Sequence, residues 1–481
     1  MLHANEGAYP GASAQVKTQL WKTRGMTSTP AVVIAAPSSG SGKTTVATGL
    51  IGALRRAGHR VAPFKVGPDF IDPGYHGLAA GRPGRNLDPV LVGEPRIGPL
   101  FRHGSADSDI AVVEGVMGLF DGRIDPHRQA PALGSTAHVA GLLGAPVVLV
   151  VDARGQSQSI AALLHGFSTF DTAIRIGGVI LNRVGSPRHE GVLRQACEQI
   201  GMPVLGAIPR DEALAVPSRH LGLITAVEHG ASADSAVDAM TELVSRHVDV
   251  AAVAALARSH VTVAPWNPVD EVGGGTAGRP VVALAAGRAF NFSYAEHREL
   301  LEAAGATVVE FDPLTDGLPD DTAGVVLPGG FPEQYPAELS ANVAARHGIR
   351  DLAAAGVRPV HAECAGLTYL VDELDGHPMC GVLAGRAHFT ERLVLGYRDA
   401  VAVADSSLHE VGGRASGHEF HRTAVDFAKD YDPAWAFSVG DRVVRDGAVD
   451  GRVHAAYLHT HPAGQPDAVR RFVDAAASDE T

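Results

Sequence analysis

Two strand-to-helix junctions in this sequence carry residue types that do chemistry. At the first, the apolar run 31–36 (AVVIAA) leads into Pro37-Ser38-Ser39-Gly40-Ser41-Gly42-Lys43-Thr44-Thr45 and then into a helical pattern. Gly40 and Gly42 let the backbone curl so that its N–H groups face a phosphate, and the helix N-terminus that follows adds positive dipole. Lys43 has the reach for β- and γ-phosphates, the Thr44 hydroxyl is a Mg²⁺ ligand, and Thr45 continues the loop into the helix. Pro37 stands where the full G-x-x-x-x-G-K-[ST] pattern has its first glycine. The junction is expected to bind ATP with Mg²⁺.

At the second junction, the strand RPVHAE (358–363) runs into Cys364, then Ala365 and a helix. A side chain on so tight a turn stands clear of the sheet. A helix N-terminus beneath a thiol favours the thiolate, so Cys364 is the expected nucleophile and its pKa is expected to be lowered. Another strand ends at Pro328-Gly329-Gly330, and the N–H of Gly330 together with that of Ala365 would form an oxyanion hole. The base is expected at His459, where a strand over 453–458 ends, with His461 as runner-up. With 23 histidines in the chain, position rather than residue type singles out His459. Cys197 and Cys380 lack such surroundings and read as structural.

More polar residues fall in loops after strands, where doubly wound sheets bind their ligands. Lys65, Asp69 and Asp72 share the segment KVGPDFIDP, Glu114 ends the strand DIAVV, and Asp121 follows in EGVMGLFDG. Lys65 is placed with the nucleotide. Asp69 and Glu114 are the candidate metal ligands beside Thr44. Asn182 ends the strand GVIL, and its amide has the pattern to pair with an adenine edge. Each of these aspartates could equally cap a turn.

The elements that must position these groups are legible as apolar β-branched runs alternating with helical stretches, the pattern of parallel sheets covered on both faces. One series runs from residue 31 to the run at 203–208, with helices expected over 43–57, 130–143, 157–165 and 188–200. A second starts at 281 and includes 307–311, 324–327 and 357–361, with helices over 294–303 and 337–355. Residues 1–29 read as a disordered extension, 30–260 as one α/β domain closed by a single helix over 235–258, 261–280 as a Pro/Gly-rich linker, and 281–475 as a second α/β domain. The net charge of 40 − 53 = −13 argues against non-specific nucleic-acid binding. Three sparse cysteines exclude a disulfide framework and fit a reducing cytoplasm. No apolar run is long enough for a membrane span.

The strings SGSGKTT, FKVGPDFIDP, RNLDP, EGVMGLFDG, GVILNRV, PSRHLGL, PGGFPE, HAECAGLTYL, GHEFH and YLHTHP occur in that order. Together they resemble the glutamine-hydrolysing cobyrinic acid or hydrogenobyrinic acid a,c-diamide synthases of cobalamin biosynthesis, over about residues 30–475. The resemblance implies an N-terminal P-loop, dethiobiotin-synthetase-like parallel-sheet domain and a C-terminal class I glutamine amidotransferase domain. It implies a cytoplasmic ligase that takes ATP, Mg²⁺, glutamine and a corrinoid acid, with no nucleic-acid or membrane partner. A homodimer is compatible with it; the oligomeric state is not legible in the sequence. It places Asp72, Asp88 and Asp121 in the substrate or acyl-phosphate region, and Arg85, Asn86 and Asp88 as candidate corrin contacts. Glutaminases of this class commonly have a Glu two residues after the base; His461 stands there instead, so what orients His459 is left open, as is the role of Arg288. Cobyric acid synthase and nickel-sirohydrochlorin a,c-diamide synthase are the neighbouring alternatives. A non-catalytic P-loop switch with an inert second domain is the alternative of another class.

Overall fold

Strands that are apolar on both faces must be covered on both faces, and the first series of runs does pair side by side into one sheet. In this computed structural model, which describes residues 28–124, 131–210, 218–219, 222–223 and 225–478, seven strands lie in the order Arg85–Leu87, Val61–Val66, Ile110–Glu114, Ala31–Ala35, Val147–Asp152, Ile176–Val184, Val204–Pro209. All neighbours are parallel. The helix Lys43–Arg56 buries Val46, Leu50, Ile51 and Leu54 on the sheet, and its other side packs against the helix Ala231–His247 through Met240 and Val244. The single closing helix expected over 235–258 is two, Ala231–His247 and Val250–Leu256. The break falls where Asp249 caps the second through Ala252 N.

Most of the extension 1–29 lies outside the described residues, as do residues 217, 220 and 221 of the string PSRHLGL. Thr29 is tied down, donating to the Ser105 carbonyl at 3.2 Å and accepting from Ser259 at 2.9 Å. The helix expected over 130–143 spans Thr136–Leu143, capped by Ser135. The stretch 261–280 is packed rather than free: Trp266 and Val272 are buried, and a helix Pro268–Val272 starts at the Asn267 cap.

The second series forms a six-stranded sheet in the order Thr307–Phe311, Val281–Ala285, Thr322–Leu327, Val360–Glu363, Val453–Ala456, Ala448–Asp450, parallel except for the last pair. The helix expected over 337–355 is two, Pro336–Ala341 and Val343–Ala354, with Asn342 capping the second. A third sheet was not expected. It is built on a long antiparallel pair, Leu383–Ala402 with Arg414–Phe427, and the short strand His459–Thr460 joins its edge. The strand expected to run through 458 therefore ends at Ala456, and His459 belongs to the neighbouring sheet.

The two halves share continuous apolar packing. One buried cluster runs from the first sheet through Leu91, Val92 and Trp266 to Val282, Leu300 and Phe472. Among the described residues no helix is long and apolar enough to cross a membrane.

Candidate active site

The phosphate loop is held from below by the sheet. Gly42 has φ +94°, and a Cβ there would lie 2.3 Å from the Asn182 amide nitrogen, so only glycine fits. Asn182 Nδ2 donates to the Ser41 carbonyl at 2.9 Å while its Oδ1 accepts from Arg183 N. Asn182 thus clamps the loop, while each end of its amide keeps capacity for one more hydrogen bond. Lys43 Nζ donates to the Met117 carbonyl at 2.6 Å.

Beneath the loop lies a buried charged cluster. Thr44 Oγ1 is 2.8 Å from Glu114 Oε1 and 3.2 Å from Asp72 Oδ2. Lys65 Nζ sits between the same carboxylates, at 2.6 Å from Asp72 and 2.9 Å from Glu114. His76 Nε2 is 2.7 Å from Glu114 Oε2. Burial pushes the Glu114 carboxyl up, but Lys65 and His76 outweigh it and hold the pKa below its ordinary value. Asp72 is pushed up to about 7 by burial and by the charges of Asp69 and Glu114. Burial and the neighbouring Lys65 lower the Lys43 ammonium.

Asp69 Oδ1 accepts from Ile71 N and Asp72 N, at 2.7 and 3.0 Å, capping the turn that brings Asp72 to Thr44, and the charge of Asp69 acts on Lys65 and Asp72. Asp121 likewise serves a turn, accepting from Gly118 N at 3.0 Å. The three RNLDP candidates for corrin contact are braces. Arg85 pairs with Glu296, at 2.6 Å, and Glu299 of the second half, and Asn86 donates to the Gly67 and Asp69 carbonyls. Asp88 is buried and accepts from Val90 N, Leu91 N and, at 2.9 Å, the Tyr397 hydroxyl; burial pushes its carboxyl up to about 6.

In the second half, Cys364 has φ 49° and ψ −98°, a strained turn fixed by its N–H bond to the Ala456 carbonyl. The N–H groups of Ala365 and Gly330 both face the sulfur and favour its ionised form. A Cβ on Gly330 would lie 2.1 Å from the Ala289 carbonyl, and one on Gly329 would lie 2.2 Å from His459 Cε1, so this turn must be Gly-Gly. The expected lowering of the thiol pKa is not found. Burial, reinforced by Glu333 and Glu363, pushes it up, and a six-residue helix does not outweigh that.

His459 is fully buried, and burial together with His418 lowers its pKa to about 3. Its Nδ1 lies 3.9 Å from Glu363 Oε2, while Glu363 Oε1 accepts from Thr460 N and Oγ1 at 3.1 and 2.9 Å. Glu363 is thus the carboxylate facing His459; sequence reasoning passed over it although it directly precedes the nucleophile. His461 stacks on Tyr294 at 4.1 Å and accepts from Ala463 N, a structural role. Arg288 lies over the Tyr335 ring. Cys197 and Cys380 are buried, with burial raising both thiols. His421, from the unassigned string GHEFH, lines the same pocket as Cys364 and stacks on Tyr457 at 3.8 Å.

A cavity of about 470 Å³ lies between the two centres, and Cys364 itself opens on a separate, smaller pocket. One wall carries Asp69, Phe70 and Met117 from the first half, and the other carries Tyr397, His418 and Phe420 from the second. The Phe420 carbonyl is 3.9 Å from the Cys364 sulfur, and the Met117 carbonyl holds Lys43. Phe70 crosses the interface: it stacks on Phe292 at 4.9 Å and lies 5.5 Å from the His459 ring.

This arrangement is that of a glutamine amidotransferase joined to a nucleotide-binding domain. The chain matches the CobQ/CobB/MinD/ParA nucleotide binding domain over residues 32–224 and the CobB/CobQ-like glutamine amidotransferase domain over residues 281–466. It is 71% identical to the hydrogenobyrinate a,c-diamide synthase of Mycobacterium tuberculosis, across 93% of this chain and 98% of that protein. It is 54% identical to the enzyme of the same name from Streptomyces coelicolor (92% and 97%), and 43% identical to the cobyrinate a,c-diamide synthase of Syntrophotalea carbinolica (93% and 98%). The chain belongs to the a,c-diamide synthase family.

Proposed function

We propose that this protein uses ATP and glutamine to convert the a and c carboxylates of hydrogenobyrinic acid to primary amides, in the cytoplasm. The observation that carries the reading is a single cavity whose walls touch both the phosphate-loop lysine and the nucleophilic cysteine. The metal-free corrin is preferred over cobyrinic acid because relatives named for it are 50–71% identical to this chain, and those named for cobyrinate 39–43%.

In the second half, the Cys364 sulfur attacks the side-chain carbonyl carbon of glutamine as its proton passes to His459. The resulting oxyanion is held by the N–H groups of Gly330 and Ala365. The C–N bond breaks, the His459 proton goes to the leaving nitrogen, and ammonia departs. Water, giving a proton to His459, then attacks the thioester carbon, the C–S bond breaks to give glutamate, and the proton passes from His459 to the Cys364 sulfur. A neutral thiol beside a neutral imidazole suits this, since the proton moves during the attack and not before it.

In the first half, a corrin carboxylate oxygen attacks the γ-phosphorus, the bond to the β-phosphate oxygen breaks, and ADP leaves. Ammonia attacks the acyl carbon, phosphate leaves, and the new nitrogen loses a proton. Lys43 faces the charge spread over the transferred group. Thr44, Asp72 and Glu114 present three converging oxygens with Lys65 as counter-charge, a donor set that would hold Mg²⁺. When bound, Mg²⁺ neutralises charge on the phosphates.

The test is Cys364→Ala. It abolishes glutamine-dependent amidation but leaves amidation supported by added ammonium salt. Loss of both would refute two separable centres.

A further inference from the structure

The mechanism needs the target carboxylate to meet phosphate from one half and ammonia from the other, and the cavity between them is built of apolar wall with few polar groups. Met117 is 42% exposed and Leu395 61% exposed, both unusual for large apolar side chains, and both lie on the cavity. Exposed apolar groups around a concavity mark a ligand surface. At the rim, Arg123 from the first half pairs with Asp399 on the long antiparallel strand that also carries Leu395. The cavity measures about 470 Å³ and draws its walls from both halves.

The geometry points to this interdomain cavity as the seat for one edge of the corrin. The ring lies on Met117 and Leu395, the target acetate points between Lys43 and Phe420, and a neighbouring carboxylate is taken by Arg123 at the rim. This rests on the functional reading above. The RNLDP residues hold the two walls at their spacing and do not line the seat.

The experiment compares Leu395→Glu and Leu395→Lys in the full-length enzyme, measuring KM for hydrogenobyrinic acid and for ATP. Both lose an apolar contact, but the substrate is a polyanion. Leu395→Glu raises the corrin KM by about tenfold or more over Leu395→Lys at low salt, a gap that narrows as salt is added, while the ATP KM of the two variants agrees. Arg123→Ala raises the corrin KM as well. Equal corrin KM values for the Glu and Lys variants, at every salt concentration, would overturn the seat while leaving the enzyme's activity assigned. Failure of the unsubstituted enzyme to amidate a corrin acid would instead overturn the functional reading beneath it.

Discussion

Cys364 and His459 are both buried, and burial disfavours the charged form of each. The group that then matters is Glu363. Its pKa is pulled down to about 2: burial opposes ionisation, but the hydrogen bond and charge of His361 and the charge of His459 outweigh it. It faces His459 Nδ1 at 3.9 Å, where a negative charge favours an imidazolium over the neutral ring. Glu363→Gln should lower kcat for glutamine hydrolysis by at least about tenfold with little change in KM for glutamine. An unchanged kcat would remove Glu363 from the account. At the same scale, Asp72→Asn takes one oxygen charge from the Thr44 cluster and should raise the Mg²⁺ concentration needed for half-maximal activity. The check is a Mg²⁺ titration at saturating ATP.

At the scale of elements, the loop after strand Val61–Val66 serves both centres. Asp72 reaches Thr44, and two residues earlier Phe70 enters a ring of Phe292, Tyr294, His418 and His459. A shift of this loop on nucleotide or substrate binding would be felt at His459. Phe70→Ala should therefore uncouple the halves, forming more glutamate than amide, with Phe70→Leu closer to the parent. A folded Phe70→Ala protein with an unchanged glutamate-to-amide ratio would contradict that. The parallel strands, the phosphate loop and the nucleophile turn were legible in the sequence because buried runs such as AVVIAA and turn residues such as Gly42 and Cys364 are local signals. The third sheet was not. Strand Leu383–Ala402 has one face open to solvent over much of its length and mixes Arg, His, Glu and Thr with its apolar residues, so it gives no buried run. The roles of Glu363, Phe70 and Tyr397 were hidden for a different reason: each depends on a partner distant in sequence or in another sheet. Asp69 and Asp72, three residues apart, could be told apart only by seeing which one the turn consumes.

At the scale of the whole molecule, the second half carries six buried or half-buried histidines whose charged form burial disfavours. His297, His409, His418 and His461 are each lowered to about 4 by burial first, His459 to about 3, and His454 well below its ordinary value. In the unfolded chain these groups take up protons near pH 6.5, which the folded state refuses, so stability falls as pH drops from about 6.5 toward 4. Asp72, Asp88 and Asp446, raised by burial, act in the opposite sense over part of that window but are outnumbered. Melting temperature should therefore be lower at pH 5.5 than at pH 7.5; an equal or higher value would contradict the neutral buried cluster. The central claim joins both halves in one reaction, and it is tested most directly by mass spectrometry of the corrin product. Purified enzyme with ATP, Mg²⁺, glutamine and hydrogenobyrinic acid should yield a product in which two carboxyl groups, and no more, have become amides, with one ADP and one glutamate formed for each. Unmodified corrin in the presence of glutamine and ATP hydrolysis, or amidation that continues past two groups, would contradict it.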